Sequence, residues 1–153
     1  MGAPQGKIRI RVMDATDYPQ VIEIWHRVEG VCVGEGDSEA EFQRFLKRNP
    51  GLSFVAEVDE SVGDVGDKQI VGTLLAGHDG RRGYLHHLAV LPGYRHKGIA
   101  RGLVDQSLQA LKSVGIQKCH LFVLKENEQA LDFWERLGWQ RRDELHMFSK
   151  NLS

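Results

Sequence analysis

Cysteine is scarce in this chain: 153 residues include only Cys32 and Cys119, far apart and outside any CxxC pair. A disulfide framework and a Cys-based zinc site therefore lack their ligands. Reduced thiols in a cytoplasmic protein are the simplest expectation. Net charge is nearly absent as well, at −1. Without a global field, neither nucleic acid nor a membrane surface is an expected partner, and any preference for an anion must be local. Long apolar runs are missing, so no segment is expected to cross a bilayer. MGAPQGK at the start has no apolar stretch for secretion, and Gly6 stands where a myristoylation signal needs Ser or Thr. The seven histidines show no metal-ligand spacing, and no metal is expected. Two phosphate-binding patterns are also absent. No glycine-spaced turn ends in Gly-Lys-Ser/Thr, and no GxGxxG follows the first strand.

What is there suits one globular domain over residues 1–153, with 41% hydrophobic and 27% charged residues. KIRIRVM alternates apolar and basic residues, as a strand with one buried face does. In DATDYPQVIEIWHRVEG, Val21, Ile24, Trp25 and Val28 recur at helical spacing until Gly30. SEAEFQRFLKRN begins with Ser38 and Glu41 in a capping-box pattern and carries an apolar stripe of Phe42, Phe45 and Leu46. Three strands follow, LSFVAEV, QIVGTLLAGH and YLHHLAVL, separated by the polar turns ESVGDVGDK and GHDGRRG. Their connections are too short for crossover helices, so an antiparallel meander is expected. A helix ending at Gly115, the strand CHLFVL, the helix ENEQALDFWERLG and a final strand from Trp139 towards Phe148 complete the order. The pattern is a mixed α/β (α+β) fold. The unit from Tyr84 to Leu124 should bring two strands into parallel neighbourhood.

Positive charge gathers in one place, PGYRHKGIARGL. The first N–H groups of a helix have no intrahelical acceptor and carry partial positive charge. Gly98 lets a ligand approach the backbone closely, and Ala100 keeps the next turn small. Arg95, His96, Lys97 and Arg101 add charge around that concavity. Such a turn can cradle a phosphate or pyrophosphate, and it can equally be a solvated basic helix start.

LAVLPGYRHKGIARGLV resembles the acetyl-CoA-binding motif of the GNAT superfamily of N-acetyltransferases, Arg/Gln-x-x-Gly-x-Gly/Ala after a strand ending in Leu-x-Val. Downstream, NEQALDFWERLGW is similar to that family's Asn-x-x-Ala-x-x-Phe-Tyr-x-x-x-Gly-Phe segment. The resemblance implies a mostly antiparallel sheet with a splayed parallel strand pair, flanked by about four helices. It implies acetyl-CoA as co-substrate, with the pantetheine arm pairing with the backbone of Leu88, Ala89 and Val90. The pyrophosphate would rest on the amides of His96, Lys97, Gly98, Ile99 and Ala100, among Arg95 and Arg101. Asn127, Phe133 and Trp134 would flank the cofactor from the other side.

A general base must take a proton from the attacking amine. His86 and His87 are adjacent, so on a regular strand they point to opposite faces and only one can face the site. His86 matches the position of a histidine base in some members of the family, and Tyr84 matches a glutamate base in others. His86 is therefore the expected base, with Tyr84 as a second catalytic candidate. Trp134 stands where the family usually has a tyrosine acid, and an indole cannot serve as one; core packing with Ala130, Leu131 and Leu137 is the expectation for it. The expected acceptor is a primary amine of a small molecule or protein. The acidic loop Glu29 to Asp37 is expected to be solvated, with a place beside Cys32 at the acceptor's entrance as the alternative. Trp25 fits that entrance or the helix core, and His78, Arg81 and Arg82 fit a polar hairpin turn ahead of a contact with an acceptor carboxylate or the CoA phosphates. A CoA-binding domain without catalysis, acting as a sensor or interaction module, is the alternative that the missing tyrosine keeps open. A monomer or a homodimer fits equally.

Overall fold

A computed structural model describes residues 6–60 and 67–153. The expectations for MGAPQ and for most of the ESVGDVGDK turn lie outside the described residues. The chain divides into two compact units, one ending at Phe122 and one running from Val123 to Ser153.

The first unit is built on a five-stranded sheet in sequential order: β1 (Lys7–Val12), β2 (Phe54–Asp59), β3 (Lys68–His78), β4 (Gly83–Val90) and β5 (Cys119–Leu121). β1 through β4 pair antiparallel, as the short connections require. β4 and β5 pair in parallel over three residues, Gly83–Leu85 against Cys119–Leu121. Beyond Leu85 no strand among the described residues pairs with that edge of β4. This is the splayed parallel pair expected for the fold.

Three helices cover the sheet: α1 (Tyr18–Arg27), α2 (Glu39–Arg48) and α3 (Ile99–Ser113). Asp14 and Asp17 cap the turn that leads into α1. Ser38 Oγ accepts from the Glu41 amide to start α2, and the Glu41 carboxylate pairs with Arg44 instead of completing the box. Gly115, with φ of 91°, follows the end of α3 as a left-handed stop. Strand alternation separates the two faces. A Cβ at Gly72 would touch Ile99 and Leu103, whereas the next side chain, Thr73, bonds the indole of Trp25. α3 therefore covers one face of the sheet and α1 the other. The core between them includes Val21, Trp25, Val55, Val71, Leu74, Leu103 and Leu111, all essentially inaccessible.

The alternation in β1 is modified by an ion network. Arg11 donates to both oxygens of Asp17, at 2.9 and 2.8 Å, and to Glu57 on β2 at 3.0 Å. These contacts draw Arg11 inward, while Val12 is left 47% exposed.

In the second unit α4 (Glu128–Arg136) starts at Asn127, whose Oδ1 accepts from the Ala130 amide at 3.1 Å. The strand expected from Trp139 towards Phe148 is not formed. A strand exists by pairing, and residues 139–153 carry no ladder; the one backbone bond within them is from Leu145 to Arg142. CHLFVL likewise yields only Cys119–Leu121, because its pairing with β4 ends there. No helix among the described residues is long and apolar enough to cross a membrane.

Candidate active site

Three residues decide how β4 presents its side chains. Thr73 lies opposite Ala89 and Leu75 opposite His86, so Leu74 alone faces both His87 and Leu88. That extra residue is a β-bulge, and His87 sits in it with φ of 54°. A left-handed backbone is costly for histidine, and it persists here because the surroundings fix it. Trp25 Nε1 donates to Thr73 Oγ1 at 2.9 Å, and Thr73 Oγ1 donates to the His87 carbonyl at 3.1 Å.

The bulge corrects the parity expectation for the two histidines. A strict two-residue repeat would send His87 to the α3 face. With one residue inserted, His86 and His87 both line the same cavity on the α1 and α2 side. Sequence alternation carries no mark of such an insertion, so it points to His86 and not to His87.

The cavity encloses about 280 Å³ and is lined by Trp25, Gly36, Asp37, Phe42, Phe45, Leu75, His86 and His87. Local sequence explains each wall. Helical spacing aims Phe42 at Trp25 (ring centroids 6.2 Å) and Phe45 at His86 (6.2 Å). Asn49 ends α2 and accepts from the His78 amide at 3.1 Å, which ties α2 to the end of β3. Asp37 closes a short 3-10 turn at the end of the acidic loop. Its Oδ2 accepts from the Gly34 amide at 2.9 Å, and its two oxygens lie 3.0 and 3.1 Å from His87 Nε2. Tyr18 donates its hydroxyl to the Asp37 carbonyl at 2.8 Å. The loop is thereby fixed against β4. An imidazole held this way presents Nε2–H to the carboxylate when neutral.

His86 is half-buried, and burial pushes its pKa below the ordinary value of 6.5. The neighbouring His87 acts in the same direction, and Asp37 opposes both. His86 thus favours its neutral, proton-accepting form near neutral pH. Tyr84 stacks on the same side, with ring centroids 6.4 Å apart and planes within 9°. Tyr84 and His86 are brought together, as expected from their two-residue spacing.

The other expected residues of this unit follow directly along the chain. Leu88, Ala89 and Val90 lie on the part of β4 that β5 leaves unpaired. Arg95, His96 and Lys97 form an exposed turn, with the Arg95 side chain donating to the Val90 carbonyl at 3.3 Å. Gly98 caps α3 with φ of 78° and no side-chain cap, and a Cβ there would meet nothing within 4 Å. The first amides of α3, from Ile99, Ala100 and Arg101, thus face an open approach. An anion fits that geometry.

Asn127, Phe133 and Trp134 belong to the second unit. Trp134 is buried and packs edge-on against Phe133 and Trp139, each 5.1 Å away. Cys32 is exposed and does not line the cavity; of the acidic loop only Gly36 and Asp37 do. In GHDGRRG, Asp79 accepts from the amides of Arg81 and Arg82, the polar hairpin turn expected there. Among the described residues no group of three or more His, Cys, Asp or Glu side chains is arranged to hold a metal ion.

The sequence profile of the acetyltransferase (GNAT) family matches residues 18–139. A protein named acetyltransferase plu1384, from Photorhabdus laumondii, is 36% identical over 146 residues, covering 95% of this chain and 96% of that protein. Acetyltransferase SG1711 of Sodalis glossinidius is 32% identical over 145 residues, with the same coverage. Among solved structures, the PaiA N-acetyltransferase of Thermoplasma acidophilum, in complex with coenzyme A, superposes with a TM-score of 0.70. It shares 21% identity, and the match covers 90% of this chain and 92% of that one. The fold is thus held in common well below recognisable overall identity.

Proposed function

Because the chain belongs to the acetyltransferase (GNAT) family, we propose that it moves acetyl from acetyl-CoA to a primary amine by direct attack, with the whole chain acting as one acetyltransferase domain. The observation that carries this reading is the arrangement around β4. One stretch of eighteen-odd residues, from Tyr84 to Arg101, joins a neutral histidine in a cavity, an unpaired strand edge and an uncapped helix start.

When bound, acetyl-CoA supplies an activated acetyl thioester. The chain's part is to hold, orient and deprotonate. The α3 amides, with Arg95, His96, Lys97 and Arg101 around them, suit the pyrophosphate. The free edge at Leu88, Ala89 and Val90 suits the amides of pantetheine, as a sheet edge accepts an added strand. Asn127, Phe133 and Trp134 are assigned to the cofactor by the family pattern, with Trp134 as a packing residue. His86 receives the proton that the amine nitrogen must lose, for which a depressed pKa keeps its lone pair available. Tyr84, stacked on it, is the second group able to exchange a proton there.

The test is acetyl-CoA-dependent thiol release with an amine panel. Wild type should turn over. His86→Ala should lose about 100-fold or more in kcat while still binding CoA in calorimetry. Gly98→Glu should lose CoA binding itself. Tight CoA binding with no turnover on any amine would favour the non-catalytic binding module, and no CoA binding at all would end both readings.

A further inference from the structure

The cavity beside the two histidines constrains what the acceptor can be, and the inference that follows rests on the acetyl-transfer reading above. At about 280 Å³ the space lies at the lower edge of small-molecule sites. It holds one compact body. Four of its walls are apolar, Trp25, Phe42, Phe45 and Leu75, and none is Lys or Arg. An acceptor bearing a phosphate or carboxylate would meet no fixed cation from those two residue types. A sugar would leave most of its hydroxyls against aromatic rings.

One carboxylate faces this apolar space, that of Asp37. Its Oδ2 takes bonds from the Gly34 amide and His87 Nε2, while among the described residues Oδ1 has His87 alone. A carboxylate oxygen accepts about two bonds, so Oδ1 keeps a direction for one more donor. That suits a single ammonium group. A polycation would bring further charges with no second carboxylate lining the cavity. The walls are set before any ligand arrives. Trp25 is 1% exposed and tied to Thr73, and its ring rests 4.7 Å from that of His87. Rigid walls reduce the ordering cost of binding and sharpen selection by shape.

We propose that the acceptor is a compact primary monoamine with an aromatic or branched-aliphatic body, its ammonium received at Asp37 and its body held against Phe45 and Leu75, with the buried rings of Trp25 and Phe42 fixing the wall behind them. Asp37 is then a specificity residue, set in place by His87.

The experiment compares kcat/KM of the full chain with acetyl-CoA and four probes: 2-phenylethylamine, phenylalanine, a linear diamine and glucosamine. Phenylalanine repeats the first probe's body with an added carboxylate. 2-Phenylethylamine should exceed each of the others at least tenfold. Asp37→Asn should raise KM for 2-phenylethylamine and narrow its lead over phenylalanine, a change of selectivity that mere loss of folding would not give. Phe45→Ala, which leaves the Asp37–His87 contact in place, should lower the lead over glucosamine. Preference for the diamine or glucosamine would overturn the acceptor class and leave acetyl transfer standing. Absence of turnover with every amine would overturn both.

Discussion

On the proposed reading, His86 is where a single side chain's environment becomes a rate. Burial lowers its pKa first, His87 adds to that, and Asp37 works against both. The acid limb of kcat/KM should consequently lie below pH 6.5, the ordinary histidine value. Replacing His87 with Gln removes a like charge and should move that limb to higher pH. Asp37→Asn removes the opposing charge and should move it to lower pH. Tyr84 and Phe45, the other rings against His86, are not among the causes of its shift, so the signs rest on His87 and Asp37. A pH–rate series on the three proteins checks the order. Identical limbs in all three would remove His86 from proton transfer.

At the scale of elements, β4 matters more than any one of its side chains. The bulge is held through Thr73, whose hydroxyl links Trp25 Nε1 to the His87 carbonyl. Thr73→Val keeps the shape and removes both bonds, leaving a buried indole N–H without a partner. It should cost about 1–3 kcal/mol in urea unfolding, with a fall in kcat as His87 is released; an unchanged kcat would mean that the bulge is held by other contacts. Much at this scale was legible beforehand. α1 to α4 follow from 3.6-residue periodicity and their caps, and the meander from short Gly-rich connections. The bulge was not, because a one-residue insertion leaves the apolar pattern on both sides of it intact. The final strand was over-read for a related reason: alternation in Leu145, Met147 and their neighbours describes a chain able to pair, and pairing depends on a partner that the pattern does not name. Asp37 was marked as part of an acidic loop, yet its contact with His87 spans fifty positions and no local pattern encodes it.

Across the whole molecule, polar side chains tie together segments distant in sequence. Arg11 connects β1 to the turn at Asp17 and to β2 at Glu57. The two carboxylate side chains are 8% and 11% exposed, so neither is well hydrated without the guanidinium. Arg11→Leu should lower global stability by about 3 kcal/mol, read from the urea midpoint at constant m-value, since removing one partner strands buried charge. Thiol chemistry should divide between an exposed and a half-buried side chain. Cys32 is exposed, whereas burial pushes the Cys119 thiol up to about 11. Excess maleimide at about pH 7.5 should label Cys32 rapidly and Cys119 much more slowly until denaturant is added. Rapid labelling of both would mean that β5 opens in solution. Against the near-zero net charge, the basic turn before α3 is a local concentration of positive charge, and it follows the histidine-bearing strand directly along the chain.

The inserted residue in β4 makes the cavity depend on counting as much as on chemistry. Excising a single codon there, without touching any histidine, would restore the strict repeat and swing His87 through the sheet towards Ile99 and Leu103. Asp37 would lose its side-chain contact with His87, and its loop one of the bonds that fix it. A frame-preserving deletion at Leu88 is therefore as severe a lesion for the cavity as losing one of its side chains, although every residue that lines the cavity would still be present.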